Sequence, residues 1–572
     1  MGRARLRVLG SLLLAAVGCG DDDGDDGTRE TPYDAGARTD GGPVINVDAG
    51  VDASIDAATP TLADGPASQG EDLPRVTGGD AGAGQAVFRS ATFGNEGFWT
   101  NAVKLPQGIV AAQLTPVQAL GAGLSVNVDA LDEATKTALA GELAAMGTNG
   151  PLLNDPATTL KLIQANAVIG VVFVDKNDDG LLSLDDDQVG VSCALCHGIT
   201  DGSVVKSTLG GGSIGKELDG LTPHNLNVGA IFAMAANTRA LYPLAQLKLA
   251  ANGNKSIGRA PSELGLTETS TEAEFDAYFS NPQYFPVGTF DDAPDGTGAP
   301  QHITPFFRSD LAAPYGTPGD IARLENFNNL VYTALLDATT LTTDGGRAFL
   351  MALGGEAAGK EIADDYVAIL AATGVTGYPY VTATMPAGTG PGMEVTPVGL
   401  RVDEQSLKDL NAYTDSLQAP AAPATDAAKV AQGRELFRAS CTSCHNVDQT
   451  KRVPTTVVPM QSVFPAYNPT VIAQRPVQPP FRPTAFSPLQ DDPSTIFDDK
   501  AIVVEASRRG DVRGSALPLL LDLARKDRFL HDSSATGLDG LLDPARGASA
   551  PHPFYVGDAS QRAAAVEFLK SL

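Results

Sequence analysis

The spacing of hydrophobic and polar positions divides the chain before any motif is considered. Residues 8–17 form one short apolar run, residues 20–65 carry few bulky apolar side chains, and from about Ala81 apolar positions recur three and four apart. That spacing is what a helix needs to bury one face. Gly84-Gln-Ala-Val-Phe88-Arg89 opens the periodic part, and Gly433-Arg-Glu-Leu-Phe437-Arg438 repeats it, which predicts one helix in two copies. Asp155-Pro156 supplies a cap and first turn for a helix on which Leu160, Ile163, Ala167 and Val168 share a face. Leu407, Leu410, Tyr413 and Leu417 share the face of a helix over 402–417, and Asp558 caps a last helix bearing Val566, Leu569 and Leu572. The pattern predicts a mainly α chain interrupted by loops: a Gly/Pro/aromatic stretch at 284–315 and a Pro-rich stretch at 469–493. With 572 residues it can hold two or three domains with full cores.

Two short motifs give this framework its chemistry. Cys193-Ala-Leu-Cys196-His197 and Cys441-Thr-Ser-Cys444-His445 both have the Cys-x-x-Cys-His spacing. There two thiols add to the vinyl groups of haem while the adjacent His binds iron as proximal ligand. A zinc site or redox dithiol would not explain a His after both pairs. Two covalently bound haem c groups are therefore expected. In each copy the leading helix delivers the chain to its motif: Phe437 lies four residues before Cys441, whereas 105 residues separate Phe88 from Cys193. The first copy thus carries a large insertion. Just before the first motif, Asp175, Asn177, Asp179, Ser183 and Asp186 occupy positions 1, 3, 5, 9 and 12 of a calcium loop. Gly180 stands at the tight turn and the carbonyl of Leu181 at position 7. Asp at position 12, where Glu is usual, resembles the loops of dockerins, and Ca2+ would brace the approach to the first haem. The glycine run at 210–215 follows no clear strand and opens no clear helix, unlike a phosphate-binding loop.

Five cysteines in all leave only Cys19 outside the two motifs. With no thiols left for disulfides and haem c attached in exported compartments, the count argues for export. Arg3, Arg5 and Arg7 precede the apolar run, which ends at Ala16-Val17-Gly18-Cys19. This has the form of a bacterial lipoprotein signal, with lipidation of Cys19 tethering the protein to a membrane; the alternative is ordinary secretory cleavage. The expected location is the periplasm or outer-membrane surface of a Gram-negative bacterium. Part of the formal net charge of −28 lies in residues 20–65, where 11 Asp and one Glu face Arg29 and Arg38. Such a composition suits a solvated, disordered spacer, and the acidic whole excludes a nucleic-acid partner from the expected functions.

Further fragments carry a resemblance. They are Thr92-Phe-Gly-Asn-Glu-Gly-Phe-Trp99, Asn166-Ala-Val-Ile-Gly170, the surroundings of Cys193, Leu226-Asn-Val-Gly229, Arg528-Phe-Leu-His531-Asp and the terminal Phe568-Leu-Lys-Ser-Leu572. With the two motifs, they make the chain resemble the di-haem cytochrome c peroxidase superfamily, in particular the branch of the bacterial rubber oxygenase. The resemblance implies two cytochrome c-like haem domains, the first with large loop-rich insertions. It also implies oxidant chemistry at haem 1 and electron transfer at haem 2, with a redox partner protein or a small oxidant, peroxide or dioxygen, as partner. The family's Trp between the haems has no counterpart, since the single Trp99 precedes haem 1, and Arg546 stands where peroxidases carry a relay methionine. For the sixth ligand of haem 2 the resemblance implies His531, with His552 and Met460 as alternatives. For haem 1, His224 and Met385 are the candidates and an open site is the alternative; no catalytic acid or base is assigned. The expected organisation is a lipoprotein-type signal peptide (1–19), a spacer (20–75), a first haem domain with the calcium loop (76–418), a linker (419–426) and a second haem domain (427–572). A surface-tethered electron carrier without bond-making chemistry is the competing function.

Overall fold

A computed structural model describes residues 78–206, 211–250, 266–282, 285–290, 301–307, 323–354, 356–441, 520–529, 535–546 and 555–572. It also describes residues 309, 315 and 321 and the short strands at 44–45, 455–458, 501–504 and 515–516. Cys19, Cys444, His445, Met460, His531, His552 and the stretch at 469–493 lie outside the described residues. About 52% of the described residues are helical, so the chain is mainly α as its periodicity predicts. Every described sheet is a ribbon of two or three short strands. Among the described residues no helix is long and apolar enough to cross a membrane.

The repeated helix forms twice and packs the same way twice. Helix Ala81–Ser90, capped by Asp80, lies against helix Glu404–Ser416, capped by Asp403. Helix Ala427–Ser440, capped by Asp426, lies against helix Ala559–Lys570, capped by Asp558. In both pairs a glycine permits the crossing. A Cβ on Gly84 would come 1.9 Å from the Asp409 carbonyl oxygen, and one on Gly433 would come 2.0 Å from that of Ala564. The phenylalanine one turn on then meets an aromatic ring of its partner helix: Phe88 on Tyr413 at 5.7 Å, Phe437 on Phe568 at 5.2 Å between centroids. Leu407, Leu410 and Tyr413 are buried on the expected face, as are Val566 and Leu569.

One expected helix is shorter than its periodicity. Asp155 caps helix Pro156–Gln164, but Asn166 takes a left-handed φ of 51° and ends it. Ala167 and Val168 are buried in the turn that follows and leads to strand Val171–Val174. Their apolar character comes from the core beneath this turn.

The large first cluster of buried residues includes Trp99, which is 3% exposed and contacts Phe98 and Phe232. A separate cluster around Phe437, Phe529, Leu538 and Phe568 lies within the C-terminal part. Leu221, Phe307 and Leu521 form a further small cluster where the two parts meet.

Candidate functional site

Strands Val171–Val174 and Gln188–Val191 form an antiparallel hairpin that delivers the chain to Cys193. The far edge of the second strand is closed by side chains. Asn95 both donates to the Val191 carbonyl and accepts from its N–H, and the Thr100 hydroxyl does the same for Val189. The Thr92–Trp99 fragment therefore acts as a substitute strand, satisfying backbone groups that would otherwise be buried without partners. Ser192 then donates its N–H to the Gly170 carbonyl and its hydroxyl to that of Arg89. Gly170, with φ 73°, leaves room for the one-turn helix Ala194–His197, since a Cβ there would sit 1.9 Å from the Leu195 nitrogen.

That turn brings Cys193, Cys196 and His197 together with both thiols free. Burial pushes the thiols up, Cys193 to about 11 and Cys196 to about 12, so they are held as thiols and not as thiolates. The Cys193 sulfur lies 3.1 Å from the hydroxyl of buried Tyr332, whose ring meets Phe93 edge-on. His197 Nδ1 is 2.9 Å from the Thr304 carbonyl oxygen, and its ring stacks on Phe306 at 3.8 Å and 11°. A carbonyl only accepts, so Nδ1 carries the proton, and burial lowers the imidazole to about 4, which keeps it neutral. Among the described residues Nε2 takes no hydrogen bond, which leaves its lone pair available. A nitrogen fixed this way by a carbonyl on the opposite side of the ring is the arrangement a metal-ligating His requires. Gly220 completes the cradle by donating to the His197 carbonyl and accepting from Phe306 N–H.

Behind this turn lies a polar cluster that the motifs did not reveal. Strand Glu217–Asp219 pairs with Gly198–Thr200, setting Asp219 opposite Gly198. Arg89 Nε is 2.7 Å from an Asp219 oxygen, which also accepts from Tyr413, and Gln85 donates to the Tyr413 hydroxyl. Glu217 accepts from Asn127 at 2.9 Å, with Arg89 at 3.6 Å. Burial raises Glu217 to about 7 against the pull of Arg89, with Asp219 adding to the rise.

In the acidic loop, Asp175, Asp179 and Asp187 bring carboxylate oxygens within 4.8 Å of one another. The third carboxylate is thus Asp187, one residue beyond the expected Asp186, and it is buried while Asp186 is exposed. Asp187 accepts from the N–H groups of Lys176 and Ser183, and Asp175 from that of Gly180. Asn177 donates to Asp179, while Leu181 is 62% exposed and gives its N–H to Asp179. These oxygens form a hard-cation donor set.

The candidate sixth ligands fall in different surroundings. His224 stacks on His302 with ring centroids 5.5 Å apart and planes 17° apart, and strand Gln301–His302 continues to Thr304 and the His197 contact. His302 had no assigned role in the sequence; the pairing of its strand with Thr289–Phe290 and the stacking place it here. Met385 is 54% exposed. In the second motif only Cys441 is described, capping helix Ala427–Ser440 and packed against the C-terminal cluster.

No family model matches the chain, and no curated protein matches it. Among solved structures, hydrazine synthase of Kuenenia stuttgartiensis, pressurised with xenon, aligns over 57% of this chain and 87% of its own. The identity is 13% and the TM-score 0.23, a likeness that carries no argument.

Proposed function

We propose that the chain is an exported di-haem c-type cytochrome, an oxidoreductase of the di-haem peroxidase-like type. Cys193, Cys196 and His197 hold the first haem, and Cys441, Cys444 and His445 the second. One observation carries this reading: His197 gives Nδ1 to the Thr304 carbonyl, which leaves Nε2 as the nitrogen with a lone pair, beside two cysteines that form no disulfide. A zinc or redox-dithiol site would not explain a His after both Cys pairs. Bound haem supplies a redox-active iron whose remaining face takes peroxide or dioxygen. The chain's own residues orient the proximal imidazole through Thr304 and Phe306. An open face at haem 1 is what the resemblance to the di-haem peroxidases implies. In this reading haem 2 relays electrons from a redox partner protein, Ca2+ sits in the acidic loop, and lipid on Cys19 anchors the protein at the periplasmic or outer-membrane surface.

The test is a haem count by pyridine adduct together with the reduced spectrum with and without carbon monoxide. Two covalent haems per chain are expected, with about half of the absorbance shifting on carbon monoxide. A protein matured in a haem c-competent host yet free of covalent haem would overturn the reading. Two haems that both ignore carbon monoxide would leave an electron carrier without bond-making chemistry.

A further inference from the structure

The hydroxyl of Tyr332 lies 3.1 Å from the Cys193 sulfur, and among the described residues it has no other hydrogen-bond partner. Tyr332 is 1% exposed, so bulk water does not compete for this hydroxyl. The backbone around it is irregular in two places. Helix Leu324–Leu330 widens into the π turn Val331–Leu335, closed by the Leu336 N–H on the Val331 carbonyl at 2.9 Å. Phe93, whose ring meets that of Tyr332 at 4.6 Å between centroids, takes a left-handed φ of 48°. Such features are rare, gather at functional sites and persist where the surrounding structure holds them. Here a closed path of contacts does so. Asp337, two residues beyond the π turn, is fully buried and accepts from the N–H groups of Tyr380 and Val381 at 2.8 and 2.7 Å. Thr382 N–H then donates to the Phe93 carbonyl at 2.6 Å, which leads back to the Tyr332 ring.

A free thiol can donate to the phenol or accept from it. A thioether only accepts, because its sulfur carries no proton. Resting on the haem c reading of Cys193, we propose that Tyr332 is a positioning residue of haem 1: its O–H donates to the sulfur that bridges Cys193 to the haem, and through that bridge it favours the reduced iron. The reason is the direction of the O–H dipole. Its positive end is turned toward the bridge, and reduction adds an electron to the haem, so in a buried site the dipole stabilises the reduced form over the oxidised one. A thioether is a weak acceptor, which limits the effect to that of one ordinary hydrogen bond. Tyr332 gives up neither its proton nor an electron in this role.

The experiment titrates both haems of the full-length matured protein spectroelectrochemically, in wild type, Tyr332→Phe, Cys193→Ala and the double variant. Cys193→Ala assigns the bands, since haem 1 then either keeps an unreacted vinyl group, which moves its reduced band to longer wavelength, or is missing. Tyr332→Phe removes one oxygen and keeps the ring against Phe93. It should retain both haems and make haem 1 harder to reduce, the ratio of reduced to oxidised haem 1 at a fixed potential falling roughly two- to tenfold, with haem 2 unmoved. In the Cys193→Ala background the same substitution should leave haem 1 unmoved, because the hydroxyl has lost the sulfur through which it acts. Where Cys193→Ala carries no haem 1, Tyr332→Phe alone decides. An unchanged haem 1 potential, an equal shift in both haems or in both backgrounds, or loss of haem 1 from Tyr332→Phe overturns the proposal. A wild type without covalent haem is a different failure: it removes the haem c reading itself, and this inference falls with it.

Discussion

At the scale of single residues, the first motif shows both what a sequence displays and what it hides. Cys193, Cys196 and His197 are legible because the Cys-x-x-Cys-His spacing is written in consecutive letters. Thr304 and Phe306, which fix the ring of His197, are not legible: one acts through a backbone carbonyl that any residue owns, and both lie more than a hundred positions away. Glu217 is hidden for the same reason, since only folding places it beside Asp219 and Arg89. Its surroundings make a pH prediction. Burial raises its folded-state value to about 7, above the ordinary 4.5, so the folded protein binds the proton more tightly than the unfolded chain does. Its contribution is therefore full below about pH 4.5 and is lost as pH rises through 7. The loss amounts to on the order of 3 kcal/mol if the whole shift is expressed. Glu217→Gln removes the titration, so the stability gap between variant and wild type should widen in the variant's favour between pH 4.5 and 8. Chemical denaturation across that range measures it, and a gap that does not change with pH would sink the idea.

At the scale of elements, local signals served well where backbone geometry is local. The two Gly-x-x-x-Phe helices were legible as a repeat, and the crossing each glycine permits followed from the same letters. Helix Pro156–Gln164 outran its own evidence, because buried Ala167 and Val168 keep up the apolar pattern after Asn166 has turned the backbone. The acidic loop shows a subtler slip. Template spacing points to Asp186, but the chain after Ser183 bends so that Asp187 faces Asp175 and Asp179, with its carboxylate held by the N–H groups of Lys176 and Ser183. If Ca2+ occupies the loop, chelation should lower the thermal midpoint of the wild type. Asp187→Ala should abolish that sensitivity while Asp186→Ala keeps it. Differential scanning with and without chelator reads this directly, and equal responses in both variants would exclude the Asp187 assignment.

At the scale of the whole molecule, the chain buries its apolar surface in unequal portions. The first part holds the large cluster around Trp99, Phe232 and Tyr366 together with the smaller one under Cys193. The C-terminal part has its own cluster, built on the helix pair Ala427–Ser440 and Ala559–Lys570. Between them Leu221, Phe307 and Leu521 supply the shared apolar contact, beside the exposed Ala/Pro run at 419–426. The helix repeat and the Ala/Pro run, where the sequence expects a second unit to begin, were legible as letters. The junction was not, because Leu221, Phe307 and Leu521 share no periodicity and meet only in space. Cooperativity requires each part to lose much of its burial when the other unfolds, and the buried apolar contact between them is small among the described residues. Heating the matured protein should therefore give two transitions, with the C-terminal part melting first, since its buried cluster is the smaller among the described residues. Leu521→Ala deletes most of one junction side chain at a cost of roughly 2 kcal/mol, the low end for a buried leucine. It should lower the first transition and leave the second in place. Scanning calorimetry of both proteins decides it: one transition in the wild type, or a mutation that moves both equally, would mean that the two parts unfold as a single unit.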